Sequence, residues 1–98
     1  MREEVRMSDS GGKRVEIIPL ARRKMAQRRI PESWVRDALA NSEQIVAGHG
    51  GRWVAHKRVR MADKERLLRV VYEETGSAYV VVTAYLTSDI TRYWRNAP

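Results

Sequence analysis

The stretch from Arg66 to Ser88, RLLRVVYEETGSAYVVVTAYLTS, constrains the fold of this chain more than any other. It contains two runs rich in Val, Leu, Tyr and Thr, which are separated by EETGS. Val, Tyr and Thr favour the pleated, half-buried surface of a sheet, and the Gly76-Ser77 pair supplies a reversal between the runs. The pattern therefore predicts an antiparallel hairpin in which residues 66–73 pair with residues 78–86.

Strict alternation along the second run assigns its side chains to two faces. One face is predicted to hold Val80, Val82, Ala84 and Leu86, and the other Tyr79, Val81, Thr83 and Tyr85. Both sets are largely apolar or aromatic, which is typical of a central strand covered on both sides.

Arg69 is a charge in the middle of the otherwise apolar first run. Burying an arginine is costly unless it meets an anion, a carboxylate or an open cleft. Two interpretations therefore stay open for Arg69: a functional cation, or a position where the strand simply faces water.

Two amphipathic segments precede the strands. Residues 20–29, LARRKMAQRR, place Ala21 and Met25 on one helical face among many basic side chains. Pro31 interrupts that helix and suits the first turn of a second one, residues 31–41, PESWVRDALAN.

The remaining runs complete the fold prediction. Residues 15–18 form a short strand or an extended approach to the first helix, residues 42–47 a short strand, and residues 52–61 a half-buried strand. Helices gathered before a meander predict an α+β domain: two N-terminal helices packed on one face of a curved three- to four-stranded antiparallel sheet, with a short C-terminal helical turn. Residues 1–12 are predicted to be a flexible lead-in and residues 13–98 a single domain.

Composition narrows the class of protein. The 98 residues, 43% of them hydrophobic, support one modest core, and the absence of cysteine excludes disulfides, thiolate metal sites and a thiol nucleophile. No apolar run approaches the roughly 18 residues of a membrane span, and the N-terminus lacks the apolar core of a signal peptide. These features predict a cytoplasmic protein with no membrane partner. The net charge of +7 favours a polyanionic partner, either nucleic acid or an acidic protein.

Basic side chains cluster on the first helix and on the strands, where they are suited to follow a phosphate backbone. Trp53 and Tyr85 are available for base stacking. The predicted nucleic-acid-binding residues are Arg22, Arg23, Lys57, Arg58, Arg60, Arg66, Thr87 and Ser88.

Acid–base chemistry has few candidates. His49 lies in a Gly-rich turn and is predicted to be solvent-exposed, whereas His56 shares a strand face with Arg58 and Arg60. An imidazole beside guanidinium groups can move a proton while the cations hold a phosphate. The pattern nevertheless favours the other interpretation of His56, an exposed polar residue on an outer sheet face. Two histidines without a carboxylate cluster give no metal-ligand spacing, so neither a metal nor another cofactor is predicted.

Three segments together carry a family resemblance: ARRKMAQRRIPESWVRDAL, a Gly-rich turn, and ERLLRVVYEETGSAYVVVTAYLTSDITRYW. From residue 20 to residue 94 the chain resembles the short bacterial proteins grouped as domain of unknown function 4258. That family looks like a relative of the RelE and BrnT toxins of bacterial toxin–antitoxin pairs. The resemblance implies a RelE-like fold, RNA as the partner (on or off the ribosome), metal-independent endoribonuclease activity, and a small acidic antitoxin-like protein.

The resemblance also implies roles for single residues. Arg69 would be the phosphate-binding arginine of its strand, and Tyr93 the C-terminal aromatic that some such toxins use, with His56 or Tyr93 handling protons. This chain departs from the family pattern at Leu20, where a histidine is common, and at Pro31, where a serine or threonine caps the second helix. The missing histidine leaves a non-cleaving nucleic-acid- or partner-binding module as the alternative.

Overall fold

A computed structural model describes residues 13–96 of the chain. The elements follow the order β1 (Arg14–Ile17), α1 (Pro19–Gln27), α2 (Glu32–Ala40), β2 (Gln44–Ala47), a 3-10 turn (His49–Gly51), β3 (Trp53–Met61), β4 (Lys64–Glu74), β5 (Ala78–Thr87) and α3 (Ile90–Tyr93). Both main helices are therefore confirmed within a few residues of their predicted ends. The predicted lead-in, residues 1–12, lies outside the described residues.

The sheet has five strands in the order β1-β5-β4-β3-β2. β1 runs parallel to β5, with Arg14 opposite Ala78 and Ile17 opposite Val81, whereas the other three pairs are antiparallel. The prediction of a three- to four-stranded antiparallel sheet is therefore wrong. Its error lies mainly in β1, whose partner is more than sixty residues away in the chain, so that no local periodicity reveals the pairing.

The predicted hairpin is confirmed as the β4–β5 pair. Its reversal depends on Thr75, whose Oγ1 accepts the Ala78 N–H at 2.9 Å while its own N–H donates to the Ala78 carbonyl at 2.9 Å. Gly76 has no positive φ, so its special backbone freedom is not used. The turn is therefore held by a threonine side chain, a local alternative to glycine in reversing a chain.

A β-bulge in β5 changes which side chains share a face. Val71 lies opposite Thr83, but the next residue, Tyr72, lies opposite Val81, so Val82 has no partner. An extra residue of this kind reverses the alternation beyond it. Val81 and Ala84 consequently both lie in the core, and the strict two-face assignment predicted for β5 is wrong.

The core lies between the helices and one face of the sheet. α1 packs against β5, and α2 packs against β3 and β4. The central buried residues are Ala21, Met25, Val35, Ala38, Ala55, Leu68, Val70, Val81 and Ala84. Because side chains alternate along a strand, the neighbours of these core residues in β3 and β4 point to the opposite face. None of the helices between residues 13 and 96 has the length and apolar character needed to cross a membrane.

α1 ends in a Schellman motif. The Ile30 N–H donates to the Met25 carbonyl at 2.9 Å, the Arg29 N–H donates to the Ala26 carbonyl at 3.2 Å, and Met25 and Ile30 are both buried. Arg29 occupies the position that this motif places in the left-handed region, with a φ of 58°. Glycine is the usual residue there, because a Cβ strains that conformation.

Candidate functional site

Four polar side chains form a row across the sheet face that lies opposite the helices. Gln44, His56, Arg69 and Tyr85 are direct cross-strand partners on β2, β3, β4 and β5. The Nδ1 atom of His56 lies 3.0 Å from the Gln44 Oε1 atom, and Arg69 donates its Nε–H to the His56 Nε2 atom over 3.0 Å. The Arg69 Nη1 group donates to the Tyr85 hydroxyl. One hydrogen-bonded line therefore runs through four adjacent strands.

This line determines the state of His56. An arginine can only donate, so the Nε2 atom that it contacts is an acceptor, and the proton of the neutral ring lies on Nδ1, facing Gln44. The side chain is fully buried. Burial lowers the pKa of His56 from 6.5 to about 4, and the positive charges of Arg69 and Arg95 contribute to the lowering. The interpretation of His56 as an exposed polar residue is therefore wrong, and the ring is neutral near pH 7.

The C-terminal segment covers the row. The ring of Trp94 is stacked on His56 with 6.2 Å between centroids and 24° between planes, and the ring of Tyr93 lies 4.1 Å from the Arg69 guanidinium carbon. The Arg95 N–H donates to Gln44 Oε1 at 3.0 Å and holds this segment on β2. Tyr93 and Trp94 therefore lie over the face of the sheet that is opposite the helices.

Beside the row lies an open cleft of about 670 Å³. Its polar lining consists of Arg52, Arg69, Arg92, Arg95, Tyr85, Tyr93, Thr83 and His49. Arg52 is paired with Glu73, with 2.9 Å between Nε and Oε2, but no acidic side chain within residues 13–96 lines the cleft. Several guanidinium groups around one opening make a site for an anion with planar, bidentate oxygen atoms, such as a phosphate or a carboxylate.

Arg69 is the arginine of this lining that also belongs to the hydrogen-bonded row. It is half-buried, and no carboxylate within residues 13–96 forms an ion pair with it. Its contacts are the neutral His56, the Tyr85 hydroxyl and the faces of two tyrosine rings. A half-buried arginine with no counter-ion among residues 13–96 has its charge available to a ligand.

Arg58, which was also predicted to bind nucleic acid, is engaged with Glu43 and Trp94. Its Nε lies 3.2 Å from Glu43 Oε1, its backbone N–H donates to the same oxygen at 2.8 Å, and its guanidinium carbon lies 4.9 Å from the Trp94 ring. The side-chain and backbone hydrogen bonds from Arg58 lower the pKa of Glu43. Arg58 thus anchors Glu43 and Trp94.

The remaining predicted binding residues are dispersed. Lys57 donates to the Asn41 carbonyl at 3.2 Å, Arg22 pairs with Glu32, and the Thr87 Oγ1 accepts the Asp89 N–H at 3.0 Å. Arg23, Arg60 and Ser88 are exposed, and Arg66 lines a separate opening near α1. The structure therefore brings Arg69 and Tyr93 together, with His56 beside Arg69, but does not gather the other predicted residues around that cleft.

Several residues of the site were not among those predicted from the sequence. Gln44 gives no sequence signal, because an amide in a short strand is common on any surface. His49 was predicted to be merely exposed, and it is exposed, but it also lines the cleft. The alternation of cations and aromatics in ITRYWRN is the one signal that indicates Arg92 and Arg95.

Comparison with known proteins supports one part of the predicted relationship. Residues 21–86 match the family model described as Domain of unknown function (DUF4258). The chain belongs to this family. The matched range includes the whole row from Gln44 to Tyr85, whereas the C-terminal cover lies beyond it. No curated protein and no solved structure matches this DUF4258 chain significantly.

The cover over His56 gives a first testable prediction for the DUF4258 chain. In a Trp94→Ala variant the stacked ring is lost and water reaches His56, so burial penalises the charged imidazole less. The pKa of His56 is expected to rise from about 4 toward 6.5. Titration of the histidine ring signals by NMR measures it, with Trp53→Ala as the control, because Trp53 is already 42% exposed and is not stacked on His56. An unchanged His56 titration in Trp94→Ala would show that the indole does not shield the ring.

Proposed function

We propose that this protein binds RNA in the arginine cleft and cleaves it without a metal ion, as an endoribonuclease of the toxin–antitoxin type. The observation that carries the proposal is the state of Arg69: a half-buried cation that opens into a basic cleft and has neutral partners only, within residues 13–96. The RelE and BrnT toxins, to which the DUF4258 family looks related, use basic residues to bind the scissile phosphate.

Arg69 is suited to hold a phosphodiester. A guanidinium has five N–H donors, of which His56 and Tyr85 each take one, so the remaining donors are available to two phosphate oxygens. His56 is a positioning residue in this proposal: it accepts from Nε and thereby fixes the plane of the guanidinium. Preorganised donors of this kind stabilise the extra negative charge that develops on the phosphate during cleavage.

The proposed reaction is an internal transfer. The ribose 2′-oxygen forms a bond to the adjacent phosphorus while the bond from phosphorus to the 5′-oxygen breaks, which gives a 2′,3′-cyclic phosphate and a 5′-hydroxyl. His49, the imidazole that lines the cleft, takes the proton of the 2′-hydroxyl. A phenol of the cleft, Tyr85 or Tyr93, gives a proton to the 5′-oxygen, and exchange with water restores both groups.

Incubation of the purified protein with RNA in EDTA tests the proposal. Fragments with cyclic phosphate ends are expected, and a single 2′-deoxy substitution at a cleaved position is expected to block cleavage there, because the attacking oxygen is missing. A His49→Gln variant is expected to cleave about 100-fold more slowly with unchanged RNA affinity, since general base catalysis contributes typically 10²–10⁴.

Absence of cleavage at high protein concentration, on free and on ribosome-bound RNA, would reject the enzymatic function. Full activity of His49→Gln would instead remove only the role of that imidazole. Persistence of cleavage at the deoxy position would reject the internal transfer.

The proposed toxin type includes a partner. The net charge of +7 and a cleft lining with no acidic side chain from residues 13–96 favour a small acidic antitoxin-like protein that occupies the cleft and blocks RNA. A neighbouring gene for a small acidic protein with a DNA-binding end would support this, and co-expression followed by native mass spectrometry measures the complex.

A second function has its own observation. His56, the histidine that the sequence places beside the basic strand residues, has both ring nitrogens engaged and is buried, so it does not exchange protons with a ligand. A non-catalytic RNA-binding module on the same fold is the function that this favours. RNA affinity that falls steeply with added salt, without cleavage, would identify it.

A further inference from the structure

A second basic opening of about 530 Å³ lies near the end of α1. Arg28, Arg29 and Arg66 line it together with Met61, Tyr85 and Leu86. No acidic side chain is among these lining residues, and none of the three arginines forms an ion pair with another residue in the range 13–96. Three unneutralised cations around one opening repel each other, which an anionic ligand relieves.

Arg66 carries the first specific observation. Its Nε atom is shielded from solvent and has no hydrogen-bond partner in the part of the chain that the structure describes. Buried polar groups in proteins are nearly always hydrogen-bonded, so a donor of this kind calls for a ligand or a functional reason.

Arg29 carries the second, independent observation. It stands at the left-handed position of the Schellman motif, with a φ of 58°, where glycine is the favoured residue. Residues held in this region cost stability and cluster at functional sites. The arginine is therefore a poor choice for ending the helix, but it adds a cation to the opening.

Arg28 is the third arginine of the opening, and a hydrogen bond fixes its position. Its Nη1 group donates to the Ala84 carbonyl at 2.9 Å, so the end of α1 is fastened to β5. This hydrogen bond holds the arginine against the same strand that carries Tyr85 and Leu86.

We propose that the opening formed by Arg28, Arg29 and Arg66 is a second phosphate-binding subsite, and that one single-stranded RNA occupies it and the Arg69 cleft together. Tyr85 lines both openings, so an RNA strand that leaves one opening reaches the other at this residue. The tyrosine ring and the apolar lining from Met61 and Leu86 suit a base, and the guanidinium forks suit phosphate oxygens. The identity of the ligand rests on the proposed function, whereas the anion site itself does not.

Binding of labelled RNA to variants of the full chain tests this. A 12-nucleotide RNA is long enough to reach both openings, whereas a mononucleotide fills only one at a time. Arg66→Met is expected to weaken binding of the 12-mer about fivefold to tenfold and binding of a mononucleotide in the Arg69 cleft less than twofold. The slope of log affinity against log salt for the 12-mer is expected to decrease by about 0.7, the value for one phosphate contact on a single strand.

Arg29→Gly separates binding from folding. Glycine relieves the strained φ, so the unfolding midpoint is expected to stay the same or rise, while affinity for the 12-mer falls about fivefold. If Arg29 only ends the helix, the Arg29→Gly variant is instead expected to bind the 12-mer with unchanged affinity. Arg36→Met is the matched control: it removes one exposed arginine from α2, outside both openings, and is expected to bind like the wild type.

The outcomes distinguish this inference from the proposed function. If Arg69→Met loses RNA binding while Arg66→Met and Arg29→Gly bind the 12-mer like the wild type, the second subsite is refuted and the proposed function stands. If Arg66 and Arg29 matter while Arg69 does not, the proposed function fails and the second anion site stands. If polyglutamate competes as well as RNA of equal charge, the assignment of this subsite to nucleic acid is overturned.

Discussion

An Arg69→Met variant is expected to bind RNA about 10- to 100-fold more weakly than the wild type at the same ionic strength. Hydrogen bonds to charged groups contribute about 1.5–3 kcal/mol, and this change removes the donors that the cleft directs at a phosphate. If the protein cleaves RNA, the rate is expected to fall further, by about 10²–10³, since the same donors stabilise charge that appears only in the transition state.

Arg69→Lys divides this effect into charge and geometry. Lysine keeps a cation in the cleft but lacks the Nε–H that donates to His56 and the fork that pairs with two oxygens. Binding is expected to recover most of its salt dependence, whereas cleavage is expected to stay close to that of Arg69→Met. Equal rescue of binding and cleavage by lysine would show that only the charge matters.

Folding must be checked in the same variants, because Arg69 also stabilises the row. Without its donor the Nε2 atom of His56 is a buried acceptor with no partner, which costs about 1–3 kcal/mol. Binding is therefore compared below the unfolding transition, monitored by circular dichroism, with Arg36→Met as the control for loss of one charge. A folded Arg69→Met protein that binds and cleaves RNA like the wild type would remove the arginine cleft from the proposed function.

The sequence predicts those elements whose pattern is local. The hairpin and the two helices are marked by β-branched runs, by i, i+4 apolar pairs and by Pro31, and each of these acts within a few residues. β1 is different: RVEI is too short to distinguish a strand from an extended approach, and the parallel pairing with β5 depends on the path of the whole chain. A pattern within a short window of sequence does not reveal an edge strand that forms in this way.

The bulge at Val82 escapes prediction for a related reason. Val80, Val81 and Val82 are identical in chemistry, so the sequence contains no mark of which one loses its partner. The structure decides it through packing, because Val81 and Ala84 must both reach the core beneath α1. Without that shift the alternation places Val81 and Thr83 on one face.

The candidate site follows the same division. Arg69 was identifiable as a charge in an apolar strand, and Tyr93 as an aromatic near the end of the sheet. His56, the partner that fixes Arg69, was not identifiable as such. The register that sets His56 opposite Arg69 and Gln44 opposite His56 is a property of paired strands, which the sequence of one strand does not contain. A histidine flanked by basic residues indicates a surface, whereas here it is the buried centre of a hydrogen-bonded row.

That buried histidine makes stability depend on pH in a predictable direction. The pKa of His56 is about 4 in the folded protein and 6.5 in the unfolded chain. Between these two pH values the unfolded chain therefore binds a proton that the folded chain does not. Stability is therefore complete above about pH 6.5 and is lost as the pH falls toward 4. From pH 7 to pH 5 the expected loss in the free energy of unfolding is about 2 kcal/mol. Urea unfolding at a series of pH values measures this loss.

A His56→Gln variant is the matched test, because glutamine offers an acceptor for Arg69 and a donor for Gln44 but does not titrate. Its stability is expected to be lower at pH 7 and nearly constant between pH 7 and pH 5. His49→Gln is the control: that histidine is exposed, so its removal leaves the pH dependence of the wild type.

If His56→Gln kept the full loss of stability between pH 7 and pH 5, another group would be responsible. Glu43 is a poor candidate, since its hydrogen bonds with Arg58 lower its pKa from 4.5. Loss of the pH dependence only in His56→Gln would establish that the neutral imidazole beside Arg69 contributes to the stability of the fold.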